Sequence, residues 1–366
     1  MKKYFLHLLK KNLLPLACLT LFCVIMYVLP IMVEDYRYWN AGGSYVYLYD
    51  GNVLLALGIL SVLIPIYLLS YKMNKRSVDM YYALPISRTK ILLANYLVGL
   101  ILLYTSYTFA YWVGFIAIIA RVEHLHLVYY VPLYFSSLIP AFMLYTITAF
   151  VYTRANTIVD GIITVAGVLF VLSMLSFTVH IVFNSVRWFS GALNGESFFP
   201  FNSLSQVSDK FGKALKTGTI AHWFVHWIGK GGYQDYEYCM RLDMWDLVGD
   251  IVWFLLAVAA TVGLFMTEKN CKAENVGQIS ESIFSYKVLI PVYMALLTMA
   301  ALEGEEYTIM FIVLFAAFVL SVIYKRKLKI GWKYAIVLGA CVVGAVVLYY
   351  IIAAILRIPA VKYFYW

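Results

Sequence analysis

The 366-residue chain is 63% hydrophobic and only 13% charged, with a mean hydropathy of +0.82, which excludes a water-soluble globule, where about a quarter of residues are charged. Its net charge of +9 comes from 28 Lys and Arg against 19 Asp and Glu, yet no basic block interleaved with aromatics lies on a hydrophilic segment, so nucleic acid is not an expected partner. The chain reads as an all-α polytopic membrane protein, and its basic residues follow its topology.

The first residues, MKKYFLHLLKKN, place Tyr4, Phe5, Leu8 and Leu9 on one helical face and Lys3, Lys10 and Lys11 elsewhere, the pattern of a helix lying among lipid headgroups. A plain charged flank is the alternative. Apolar stretches of roughly 17–25 residues, long enough to cross a bilayer, follow at 13–33, 53–71, 91–120, 128–152, 158–183, 247–266, 288–302, 307–324 and 334–356. The first is too long for a signal-peptide core and has no small-x-small site before Glu34, so it is expected to remain as a span. The third exceeds a straight crossing and is expected to tilt or project. The seventh is short, and 288–324 has the alternative of a re-entrant hairpin around Glu303-Gly304-Glu305-Glu306.

Lys and Arg are retained on the cytoplasmic side. With the N-terminus cytoplasmic, the basic residues within 2–11, 72–90, 154, 269–287 and 325–333 lie inside, and short outer segments hold only Arg37, Arg121, Arg357 and Lys362. The C-terminal RIPAVKYFYW is then outside. The outer loop 184–245 is too long to obey the rule. Within it, Leu204, Val207, Phe211 and Leu215 have helical spacing, so 203–216 is expected to form a short amphipathic helix. Its Trp and Tyr residues are expected at the membrane surface. Among the cysteines, Cys18, Cys23 and Cys341 fall in spans, Cys271 inside and Cys239 alone in an outer loop, so no disulfide framework is expected.

Between the second and third spans, residues 72–90 read KMNKRSVDMYYALPISRTK. Ser77 is suited to cap a helix whose first turn carries Asp79, and Pro85 ends it because the residue before proline avoids the α region. The expected product is a rigid peg of roughly two turns, with Lys72, Lys75, Arg76, Arg88 and Lys90 holding it at the inner leaflet. An ordinary positive-inside loop is the alternative.

Other motifs fail on spacing. Gly229-Lys230-Gly231-Gly232 and Phe211-Gly212-Lys213-Ala214 lack the GxxxxGK[ST] that cradles a nucleotide, so the chain is not expected to hydrolyse ATP itself. His222 and His226 are four apart without the accompanying Glu of a zinc helix, and His124 and His126 are weaker still. No GxSxG elbow occurs. Asp160, His180, Asp246 and Asp250 fall near span ends rather than mid-membrane, so an ion-driven mechanism lacks its residues and energy is expected from outside the chain. Tyr104, Tyr107 and Tyr111, with Thr108 and Gly114, form a polar-aromatic stripe on the third span. The stripe suits either a path for an amphipathic substrate or helix packing, and packing is the favoured reading.

Asp79, followed by Leu84-Pro85-Ile86-Ser87-Arg88 after the second span, resembles the D…SLPISR signature of bacterial type-2 ABC transporter permeases, especially the larger ones of low-GC Gram-positive bacteria. The resemblance extends over residues 1–287, a six-span core with its outer loop at 184–245. After the sixth span, FMTEKNCKAENVGQ at 265–278 is similar to that family's RRKSExAGQ stretch. Ala83 replaces the usual serine, and Met266-Thr267-Glu268 stand where arginines are common. The final membrane helices, 288–366, exceed the six-helix core.

The resemblance implies a coupling helix docked in a groove of a cytoplasmic ABC ATPase, with Asp79, Met80, Tyr81, Tyr82, Leu84 and Arg88 facing the partner. It implies an interfacial helix carrying Tyr4, Phe5, Leu8 and Leu9, and a second permease, the same chain or a related one. No cofactor is then expected in this chain, since ATP and Mg²⁺ belong to the partner ATPase. The implied function is export, from a bacterial plasma membrane, of a hydrophobic or amphipathic substrate such as a peptide, antibiotic or lipid-like compound. The alternatives are the membrane component of a sensing or resistance complex, with an ATPase but without transport, and a membrane-embedded enzyme.

Overall fold

A computed structural model describes residues 2–33, 51–121, 130–169, 244–268, 276–278, 286–303 and 332–355, with further positions at 171, 282, 312, 315 and 317–319. Every regular element among them is helical. In chain order these are α1 (Lys2–Lys11), α2 (Leu13–Val33), α3 (Gly51–Leu69) closed by a 3₁₀ turn at Ser70–Met73, α4 (Lys75–Tyr82), α5 (Arg88–Arg121), α6 (Tyr130–Tyr152), α7 (Ile158–Leu169), α8 (Met244–Glu268), α9 (Tyr286–Glu303) and α10 (Trp332–Ile355). Four stretches, Leu13–Met32, Leu55–Met73, Arg88–Ala120 and Tyr334–Ile352, are long and apolar enough to cross a membrane, and shorter apolar helices run in α6, α7, α8 and α9. The seventh expected span continues as one helix to Glu303. The histidines at 124, 126, 222 and 226, Cys239 and Cys271, the helix expected at 203–216 and the C-terminal RIPAVKYFYW lie outside the described residues.

The chain divides into two units, Met1–Ile162 with Leu204–Ile279, and Ile163–Ser203 with Ser280–Trp366. In the first, α2 lies along α5, α3 packs on α5 and α6, α8 packs on α6, and α1 lies against α5. Pro30, Pro65 and Pro140 sit inside α2, α3 and α6, a placement that neighbouring helices make tolerable in apolar surroundings. The core is rich in tyrosine. Tyr107 and Tyr145 are fully buried, and leaving a buried hydroxyl without a partner is costly. Tyr107 and Ser137 share a hydrogen bond of 2.6 Å, Tyr96 and Thr146 one of 2.7 Å, and Tyr145 donates to the Tyr96 carbonyl at 3.0 Å. These bonds cross between α5 and α6, where side-chain polarity serves as glue between helices.

Glycine sets the approach of α2 to α5. A Cβ at Gly114 would lie 2.1 Å from the Tyr27 ring, which is itself buried. At the turn between α1 and α2, buried Asn12 donates from its side chain to the Leu8 carbonyl at 2.8 Å and accepts from Tyr67 at 3.4 Å. That pair of bonds joins α1 to α3.

In the second unit α9 packs on α10. Tyr286, Ile290, Met294 and Ala317 form its core, covered by Leu297, Leu338 and Val342. The Tyr293 hydroxyl donates to the Gly167 carbonyl at 2.5 Å, which ties α9 to α7.

Candidate functional site

The segment 70–88 links α3 to α5 through the 3₁₀ turn and α4. The 3₁₀ turn buries Tyr71, Lys72 and Met73. Asn74 then adopts extended backbone, φ −111° and ψ 116°, and its side-chain oxygen accepts from the Arg76 amide at 3.2 Å. The cap is therefore Asn74 and not Ser77, and Asp79 stands in the second turn, away from the helix N-terminus. The physical reason is the extended backbone at Asn74, which presents an amide oxygen to the first free N–H groups one residue before Lys75 and Arg76 enter the helix. The C-terminus is as expected. α4 stops at Tyr82, and Ala83 donates to the Asp79 carbonyl at 3.1 Å before the turn through Pro85. Eight residues give the two-turn peg.

Asn74→Ala is expected to weaken α4 by about 1 kcal/mol. The measurement is amide hydrogen exchange through 75–82, which should accelerate in Asn74→Ala and return to the original rate in Asn74→Ser.

The two faces of α4 differ. Val78 is buried, and Tyr81 packs on Tyr71 with ring centroids 4.7 Å apart. Tyr82 is half-buried under the Arg88 guanidinium, 4.3 Å from its ring centre. Asp79 is exposed on the other side, Met80 is 65% exposed and Leu84 37% exposed. Of the six residues expected to face a partner, Asp79, Met80 and Leu84 thus project, Tyr81 and Tyr82 brace the helix, and Arg88, itself exposed, covers Tyr82.

Behind the brace is an element that sequence reasoning did not single out. Lys72 and Glu268 form an ion pair with side chains 7% and 1% exposed. Glu268 is the last residue of α8. An acid there complements Lys72. The detectable signal was the opposite charges closing two apolar segments. Beside it the Arg154 guanidinium donates to the Thr267 hydroxyl. The Gly277 amide donates to the Asn156 carbonyl at 3.0 Å, with Gly277 at φ +86°, a left-handed conformation natural to glycine.

On α1, Leu8 is buried and Tyr4, Phe5 and Leu9 are half-buried, while Lys2, Lys3, Lys10 and Lys11 are exposed. The face read from the sequence is the face that packs. The Tyr4 hydroxyl accepts from the Asn95 side chain at 3.3 Å. Burial raises its pKa above the ordinary tyrosine value, the Asn95 hydrogen bond lowers it in part, and nearby Tyr81 raises it further. Tyr4 therefore stays neutral, and its bond to Asn95 links α1 to α5.

Tyr107 and Tyr111 lie inside the packing, Tyr107 stacked on Tyr134 with ring planes 3° apart and Tyr111 stacked on Tyr27. Tyr104 donates to the Leu138 carbonyl at 3.1 Å. Only Tyr104 of the three also reaches a shallow groove of about 530 Å³ formed with Thr105, Thr108, Phe109, Trp112 and Ile116. Tyr107 and Tyr111 thus pack between helices, and Tyr104 also lines the groove. Among the described residues no His, Cys, Asp and Glu cluster forms a metal site.

Comparison with protein-family models, curated proteins and solved structures finds no match to this chain.

Proposed function

We propose that the chain is the transmembrane permease subunit of an ATP-driven exporter, and that α4 with its following turn docks on a separate cytoplasmic ABC ATPase. One observation carries this reading: a capped two-turn helix is held at its rear by Val78 and Tyr81 while two apolar side chains, Met80 on the helix and Leu84 in the turn after it, are exposed. Exposed apolar side chains on a rigid element are suited to fill a pocket in a partner. The 3₁₀ turn joins α4 directly to α3, and residues 83–87 join it to α5, so a push on the knob reaches two apolar helices without slack. The D…LPISR resemblance supports the same reading, as does the lack of a nucleotide-cradling loop in the sequence.

In this reading residues 1–287 supply a six-helix core and 288–366 additional membrane helices. The working unit contains two permeases and two ATPases, in a bacterial plasma membrane with the N-terminus cytoplasmic. The cargo class is hydrophobic or amphipathic. Purified gently from its native membrane, the chain is expected to bring down an ATPase, and alone it is expected to show no ATP hydrolysis. Robust turnover by the isolated chain would overturn the proposal.

The orientation has its own test. In a chain whose five cysteines are replaced, a cysteine at position 74 is expected to resist an impermeant maleimide in intact cells and to react after permeabilisation. Labelling in intact cells places α4 outside and removes the ATPase contact.

A further inference from the structure

We infer that the Lys72–Glu268 ion pair is a mechanical joint that fixes α4 to the end of α8, so that the position of one is transmitted to the other. The use of that joint in transport rests on the exporter reading above, but the joint itself does not.

Lys72 lies in the 3₁₀ turn, two residues before the Asn74 cap of α4, and Glu268 closes α8. They are 196 residues apart in the chain. Both side chains are nearly inaccessible, so water cannot replace either partner when they separate, and a lone buried charge is strongly unfavourable. The two ends must therefore move together.

The neighbouring contacts direct that coupling to α4. Tyr71, adjacent to Lys72, packs against Tyr81 of α4 with ring planes tilted by 49° and lies within electrostatic reach of the Glu268 carboxylate. A displacement of α4 through Tyr81 is thus delivered to the turn that carries Lys72. On the α8 side, Thr267 next to Glu268 is held by Arg154 just beyond α6, which extends the connection to a second helix end. The pair also has unused bonding capacity, because Glu268 Oε1 and the Tyr71 hydroxyl are both buried without a hydrogen-bond partner.

The test removes each partner and reads the opposite element, in membrane fragments containing the full chain. Glu268→Gln, a change on α8, is expected to raise the rate of tryptic cleavage at Lys75 and Arg76 on α4 at least about tenfold. Lys72→Met, a change beside α4, is expected to alter by a similar factor the maleimide reactivity of a cysteine at position 266, an exposed site near the end of α8. The charge-swapped double variant, Lys72→Glu with Glu268→Lys, is expected to restore both readouts. Buried Cys23 on α2 serves as the folding control and should remain unreactive throughout. Effects confined to the element that carries the substitution, or no effect on either, overturn the inference. No ATPase enters this experiment, so a chain that passes it yet captures no ATPase refutes the exporter reading and leaves the joint standing.

Discussion

Replacing Met80 and Leu84 together by Asp is expected to abolish capture of the partner ATPase while leaving the chain folded in the membrane. Met80 projects from a helix whose rear is braced by Val78 and Tyr81, and Leu84 is partly exposed in the turn that follows it, so the substitutions fall chiefly on the docking surface. Burial of each apolar side chain in a partner pocket contributes roughly 1–2 kcal/mol, and placing a carboxylate there adds a desolvation cost, so the pair together is worth about 3 kcal/mol or more, over about a hundredfold in affinity. Surface changes of this kind usually leave folding stability within about 0.5 kcal/mol. Pull-down and ATP hydrolysis in the reconstituted complex measure the loss. Unchanged capture would identify the segment as a plain basic connector. Asp79→Lys serves as the contrast. Because Asp79 lies outside the first helical turn, the charge reversal no longer opposes the helix dipole there, and α4 is expected to persist.

The second large effect is structural. Gly114→Val is expected to destabilise the α2–α5 contact by about 3 kcal/mol, the upper end of the usual overpacking range. The added Cβ alone would lie 2.1 Å from two atoms of the Tyr27 ring. That ring is 1% exposed and stacked on Tyr111 with centroids 6.3 Å apart, so it has nowhere to retreat and the helices must part. Thermal unfolding in mild detergent measures the loss, and Tyr27→Leu in the same chain should recover part of it. Gly58→Ala on α3 is the control. Nothing lies within 4 Å of the Cβ it would add, so it should be neutral or slightly stabilising through better helix propensity. Equal effects at the two glycines would show that α2 and α5 do not meet as described.

Helix placement was legible because it depends on local chemistry. α2 occupies Leu13–Val33 as read from its apolar run, and α4 ends before Pro85 as proline requires. The inward face of α1 followed from the spacing of Tyr4, Phe5, Leu8 and Leu9. The cap of α4 was misplaced by three residues because both Asn74 and Ser77 have capping side chains, and only the extended backbone after the 3₁₀ turn selects between them. That turn leaves no periodic trace in the residues.

By itself, the sequence determined the helical class and, among the described residues, where the apolar helices run, because each backbone polar group in an apolar medium must be satisfied within its own helix and each lipid-facing side chain must be apolar. Neither requirement needs knowledge of a distant residue. Tertiary structure alone decided which α4 side chains project and which brace, since Tyr81 turns inward only because Tyr71 is there to receive it. It alone placed Tyr107 and Tyr111 within helix packing, opposite Ser137 and Tyr27. It also joined Lys72 to Glu268 across 196 residues. A buried charge is tolerable only beside its counter-charge, and which counter-charge arrives is settled by how the helices pack.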